Sequence, residues 1–310
     1  MNYTPQSFVD GEVLYAAALQ EMDEGIQEAL EGLDQVNQQV KKAAPRNLLD
    51  NSDFRNPVNQ RGQTSYTAAG YTIDRWKKGY AEPIVSIVSD GLMLTNADTT
   101  RRYIMQSIEN FNTSKKHTAA VWLADGTTVC GSFQINAVAG ESVDICQWDS
   151  NYSGIKIRYS DSINGIEVFL MIGTGETSTI KHVAIYEGEF TLETLPEYQP
   201  KGYAAELLEC QRYYYKPGAA TYYGYSGSDK SIYVAVQMPV IMRIIPTVTI
   251  KSIDFRVNGA YSYFIDGVPV TVINSAPKNT LNIKLTDKTF SAAHNTLVGQ
   301  IQGLELSADL

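Results

Sequence analysis

Two stretches of the sequence carry side chains suited to binding a ligand. Gln147-Trp148-Asp149-Ser150-Asn151-Tyr152 sets two aromatic rings among four polar side chains. A pyranose presents an apolar C–H face that stacks on Trp or Tyr, while Asp, Asn and Gln take its hydroxyls. Trp148, Asp149, Asn151 and Tyr152 are therefore candidate glycan contacts, and Trp148 could equally plug the edge of a sheet. Tyr222, Tyr223 and Tyr225 stand in the Gly/Ser-rich stretch GAATYYGYSGSD, and Tyr261 and Tyr263 alternate along a β-type run and so share a face. These five suit the same stacking, or packing in an assembly, where tyrosine is enriched. They belong to an unusual total of 20 tyrosines, against 9 Phe and 3 Trp.

Bond-making chemistry has less to work with. The sequence has no Gly-x-Ser-x-Gly and no His–acid pairing beside a Ser or Cys. Asp144 with Asp149, or Asp254 with Asp266, could be named a glycosidase pair, but that chemistry needs carboxylates roughly 5–10 Å apart, which spacing along a chain does not supply. With 34 acidic residues such pairs arise by chance. The sequence reads as a non-enzyme. Cys130, Cys146 and Cys210 are an odd set without a Cys-x-x-Cys, and His117, His182 and His294 stand far apart. No disulfide framework, zinc knuckle or other cofactor follows, and the cysteines read as small packing residues.

The elements that would hold these residues change in texture at Asn47. Residues 1–46 carry −5 of the net charge of −9. In them Leu19, Met22, Ile26, Ala29, Leu33, Val36 and Val40 follow at alternating steps of three and four, an a/d heptad pattern. Asp10 suits the N-cap, Lys41 and Lys42 the C-terminal end, and Pro45 a stop. The pattern predicts self-association through a coiled coil, with an amphipathic helix docked on its own chain as the alternative. Beyond Asn47, short β-type runs such as Ile84–Val88, Thr128–Ile135, Gly154–Tyr159 and Ile166–Ile172 recur between turn residues, which predicts a sandwich or jelly roll. Trp76, Trp122 and Tyr213–Tyr215 read as framework. A second β segment follows Gly202, with a hairpin signal at Asp266-Gly267. The predicted class is mainly β: residues 1–46 an N-terminal attachment segment and coiled coil, 47–201 a jelly-roll/β-sandwich, and 202–310 a C-terminal β-sandwich.

Composition also excludes partners. With 25 Lys+Arg against 34 Asp+Glu, the chain lacks the basic footprint that phosphate backbones require, so nucleic acid is not expected. The longest apolar stretch, Val234 to Ile250, is broken by Arg243, Pro239 and Pro246, so no membrane insertion is expected either. The opening MNYTPQSFVDGEV shows no basic segment followed by an apolar one, which predicts cytoplasmic synthesis without a signal peptide.

Four blocks carry a resemblance. FVDGEVLYAAALQEMDEGI resembles the start of appendage proteins of tailed phages of Gram-positive hosts, where it opens a trimerising helix. NLLDNSDFRNPVNQRG with GYTIDRW resembles the entry of a carbohydrate-binding-like jelly roll of phage tail proteins. TIKHVAIYEGEF…LPEY…ELLECQRYYYK resembles its end and junction, and MRIIPTVTI with LELSADL the C-terminal β-domain of the same group. The resemblance implies a homotrimeric tail fibre or receptor-binding protein of the virion. Its N-terminus would dock on a tail, baseplate or capsid protein, and its tip would bind a bacterial surface polysaccharide. A head fibre or capsid decoration protein, a baseplate or collar protein without receptor contact, and a wall- or capsule-degrading hydrolase are the alternatives. It further implies that Asn51 and Asp53 lie at an oxygen-rich edge where such jelly rolls hold a structural Ca²⁺; an Asx turn uses the same residues.

Overall fold

Alternation of apolar and polar residues over short runs favours strands with one face on a core, and strands dominate the computed structural model of the chain. It describes residues 21–33, 45–218, 221–226, 231–257, 261–266, 270–273, 280–286 and 296–309. Helix α1 spans residues 21–33. Then come β1 (Ser65–Tyr66), β2 (Gly70–Tyr71), β3 (Lys77–Lys78), β4 (Ile84–Val88), β5 (Gly91–Thr95) and β6 (Arg102–Ile108). They are followed by β7 (His117–Leu123), β8 (Thr128–Phe133), β9 (Ser142–Gln147), β10 (Gly154–Ser160), β11 (Gly165–Ile172) and β12 (Thr177–Glu187).

These twelve strands form two six-stranded antiparallel sheets, in the orders β1-β4-β5-β12-β7-β8 and β2-β3-β6-β11-β10-β9. One core lies between them, with Leu92, Val121, Val183 and Ile185 from the first sheet and Ile104, Ile155, Val168 and Leu170 from the second. Trp76 is fully buried in it, edge-on to Phe54 at 5.3 Å, and its indole N–H donates to the carbonyl of Asn51 at 2.9 Å. Strand β11 is the continuously apolar run of the sequence and is buried along nearly all its length.

After β12 the chain enters α2 (Tyr203–Gln211), then β13 (Tyr214–Tyr215), β14 (Thr221–Ser226), β15 (Ser231–Gln237), β16 (Thr247–Thr249) and β17 (Ser252–Val257). It closes with β18 (Tyr261–Asp266), β19 (Val270–Val272), β20 (Thr280–Thr286), β21 (Thr296–Gln302) and β22 (Glu305–Ser307). A seven-stranded sheet runs β18-β17-β21-β14-β15-β20-β19, and a three-stranded sheet β13-β22-β16. Tyr222, Ile232, Val234, Ile283, Leu285 and Leu306 share the second core.

The expected fold class is corrected. The chain is mainly β, with four sheets, and has no long coiled coil among the described residues. Helix α1 holds only Met22, Ile26, Ala29 and Leu33 of the heptad set, while Leu19, Val36 and Val40 lie outside the described residues. The described helical part holds under two heptads, which is too little to define a coiled-coil seam, and Gly25 and Gly32 within it each cost a helix about 1 kcal/mol relative to Ala. Among the described residues no helix is long and apolar enough to cross a membrane.

The two β bodies are tied together by polar contacts. The Asn51 N–H donates to Glu206 of α2 at 2.6 Å, and Gln60 Nε2 donates to the Tyr214 carbonyl at 2.7 Å. The Arg75 guanidinium lies 3.3 Å from the centre of the Tyr213 ring, and Arg243 Nε donates to Glu109 at 2.7 Å. Arg61 bridges Asp74 of the sandwich at 3.0 Å and Asp309 of the C-terminal body at 2.7 Å.

Candidate functional site

Strand β14 sends Tyr222 to one face and Tyr223 and Tyr225 to the other, because side chains alternate along a strand. Tyr222 is buried in the second core, which corrects its place among the ligand candidates. Tyr223 and Tyr225 are 67% and 56% exposed. Pairing of β14 with β15 puts Tyr225 directly opposite Tyr233, and their rings stack at 5.0 Å with an interplanar angle of 11°. Gly224 lets the pair of strands close here: a Cβ at this position would stand 2.5 Å from the Tyr233 carbonyl oxygen.

The same face continues onto β20 and the end of β19. Asn282 pairs with Ala235 and Lys284 with Tyr233, and the Lys284 ammonium stands 5.7 Å from the Tyr233 ring centre. Tyr223, Tyr225, Tyr233, Ala235, Ile273 and Asn282 line a groove of about 400 Å³. Exposed ring faces, an exposed isoleucine, an amide and an ammonium together offer stacking to the C–H face of a sugar and polar partners to its hydroxyls. Tyr261 and Tyr263 lie in β18 at the far edge of this sheet, opposite Val257 and Phe255; their side chains lie outside the described residues.

The Trp148 loop is built differently. Trp148 packs on the sandwich core, and its indole N–H donates to Ser178 Oγ at 3.1 Å. One oxygen of Asp149 accepts the N–H groups of Asn151 and Ser153, both at 2.9 Å, and Asn151 Nδ2 donates to Glu176. These side chains shape the loop, leaving Tyr152 as its exposed aromatic, held in the left-handed region at φ 67°. The loop and the Tyr223 face belong to different sheets.

Asn51 and Asp53 are also occupied. Asn51 is buried; its Oδ1 accepts the Val58 N–H at 2.7 Å, and its Nδ2 donates to the carbonyls of Val58 and Asp74. Asp53 lies 3.1 Å from Nδ1 of His182 and accepts the Arg55 N–H, an Asx-type turn. Burial opposes ionisation of Asp53, but His182 and Arg55 together hold its carboxyl below the ordinary value. No group of three or more His, Cys, Asp or Glu is placed to hold a metal among the described residues.

The His182–Asp53 pair was not legible in the sequence, since the partners lie far apart along the chain. Tyr198 covers it: its ring stacks on the imidazole at 4.2 Å and its hydroxyl lies 3.0 Å from Ser52 Oγ. That serine oxygen also accepts Asn47 Nδ2 at 2.8 Å. These contacts hold the 48–54 segment beside β12, to which its backbone bonds through Leu48 N–H to the Ile185 carbonyl, Val183 N–H to the Ser52 carbonyl and Phe54 N–H to the Lys181 carbonyl. Of the glycosidase pairs, Asp144 faces Arg101 at 3.4 Å, while the side chains of Asp254 and Asp266 lie outside the described residues.

Sequence reasoning missed Tyr233, Asn282, Lys284 and Ile273. The available signal was the turn-rich SGSDKS between two alternating runs, which marks a hairpin but leaves its register open. The chain matches no known protein-family model and no curated protein.

Proposed function

We propose that the protein is an adhesive component of a phage virion, a receptor-binding protein that attaches to the particle through its N-terminal segment and binds a bacterial surface glycan. The stacked Tyr225–Tyr233 pair with exposed Tyr223 beside it carries the glycan half of this reading. Tyr223 and Tyr225 keep most of their ring surface outside either core, and the C–H face of a sugar is a ligand surface that such rings fit. The virion half rests on the sequence blocks that resemble phage appendage proteins. Assembly of three chains belongs to the same proposal, because several weak sugar sites on one particle act by avidity.

The test is a double substitution, Tyr223→Ala with Tyr225→Ala, assayed on an array of purified bacterial cell-surface polysaccharides. Truncating central aromatic anchors costs about 2 kcal/mol or more, so retention should fall at least about thirtyfold with an unchanged melting temperature. Undiminished binding by the double variant overturns the assignment of this face. Electron microscopy of particles labelled with antibody to the chain tests its place on the virion.

A further inference from the structure

We propose that the cavity at the junction of the two β bodies is a second saccharide site, one that takes a neutral pyranose unit. It shares no residue with the tyrosine groove. About 330 Å³ in volume, it stands near the lower end of the range of roughly 300–1,000 Å³ found for ligand pockets. Its walls come from both bodies: Arg61, Tyr66 and Tyr71 from the sandwich, and Tyr214, Lys216 and Glu305 from the C-terminal part.

Arg61 is held from four sides. Asp74 and Asp309 take its two terminal nitrogens, and its guanidinium lies 3.8 Å from the Tyr214 ring centre and 4.9 Å from that of Tyr71. Its side chain is nevertheless 14% exposed. A guanidinium has five N–H donors, so one fixed in place by two carboxylates presents the remaining donors without a cost of ordering. Across the cavity the Glu305 carboxylate lies 2.9 Å from Lys216 Nζ. Donors, an acceptor and tyrosine walls in one cavity match the alternating hydroxyls and C–H face of a pyranose. Charge selects the neutral class. Arg61 and Lys216 stand against Asp74, Asp309 and Glu305, which leaves no positive excess to draw an anionic sugar.

The experiment is saturation-transfer NMR on the full chain with glucose, galactose, N-acetylglucosamine and glucuronic acid as the probes. A neutral sugar is expected to give saturable transfer. Glu305→Gln should weaken it about tenfold through loss of a charged hydrogen-bond partner. Ala69→Trp, which fills the cavity from its exposed rim, should abolish it, with Thr67→Trp as a second block on the same rim. The Tyr223→Ala, Tyr225→Ala double variant should keep it. Failure of all three neutral sugars, a signal that survives both Trp variants, or preference for glucuronic acid overturns the junction site. Loss in the Tyr223/Tyr225 variant alone assigns the sugar to the tyrosine groove, which overturns the junction site and leaves the proposed function standing.

Discussion

Asp74 and Lys78 are two charged side chains that the fold buries for structural ends. Asp74 has 1% of its side chain exposed, and its oxygens accept from Arg61 at 3.0 Å and Gln60 Nε2 at 2.7 Å. Burial outweighs those partners and lifts its carboxyl from 3.8 to about 6. A folded-state value above the unfolded one means that the folded chain holds the proton more tightly. Through this group stability therefore rises as pH falls from 7 toward 4. Glu109 has the opposite sign: held low chiefly by its hydrogen bond from Arg243, it contributes stability that is lost as pH falls below the ordinary carboxylate range. Asp74→Asn isolates the first effect. Urea unfolding should show the wild type gaining about 1 kcal/mol through Asp74 between pH 7 and pH 5, and the variant lacking that gain. Lys78 is fully buried and donates to the carbonyls of Tyr66, Ala81 and Pro83 at 2.6–2.8 Å. Lys78→Ala leaves three carbonyls unpaired and should cost about 3 kcal/mol in the same assay. Neither residue stood out in the sequence, because a charged side chain reads as exposed until the chain closes over it.

At the scale of elements, register decides what a residue can do. A slip of one residue between β14 and β15 would exchange the faces of Tyr222 and Tyr223 and break the Tyr225–Tyr233 stack. Gly91, at φ 143°, lets the β4–β5 hairpin seat against β12, since a Cβ there would stand 2.1 Å from the Ile180 carbonyl oxygen. Gly91→Ala should destabilise the sandwich by about 3 kcal/mol, measured by chemical unfolding. Helix α1 is the contrasting case. Met22, Ile26, Leu30 and Leu33 are all exposed, so the helix adds no apolar burial to either β core. Exchange of Ile26 and Leu30 for Ser should leave the melting temperature of the β bodies unchanged in scanning calorimetry. The heptad pattern was plain in the sequence. What that face packs on was not, because apolar spacing describes a face and does not name its partner.

For the molecule as a whole, the decisive contacts join residues that are distant in sequence. Arg61 links Asp74 and Asp309, and the Ala308 N–H donates to the Tyr213 carbonyl, so the last residues of the described chain return to the junction. Arg61→Ala leaves two buried carboxylates without their cation and should cost about 3–5 kcal/mol there. Scanning calorimetry should then resolve two transitions in place of coupled unfolding of the two bodies; one unchanged transition would show that the bodies are held by other means.

The sequence by itself determined a mainly β chain, an acidic N-terminal stretch, the change of texture at Asn47 and the short list of tyrosines around residues 222–225. Those properties are local: alternation, turn residues and composition depend on near neighbours along the chain. Tertiary structure alone decided that Tyr222 is core while Tyr223 and Tyr225 face outward beside Tyr233, and that Trp148 packs inward. It also brought His182 to Asp53 and Arg61 to Asp309. Each of these is settled by strand register or by closure of segments more than a hundred residues apart, and composition and spacing carry no record of either.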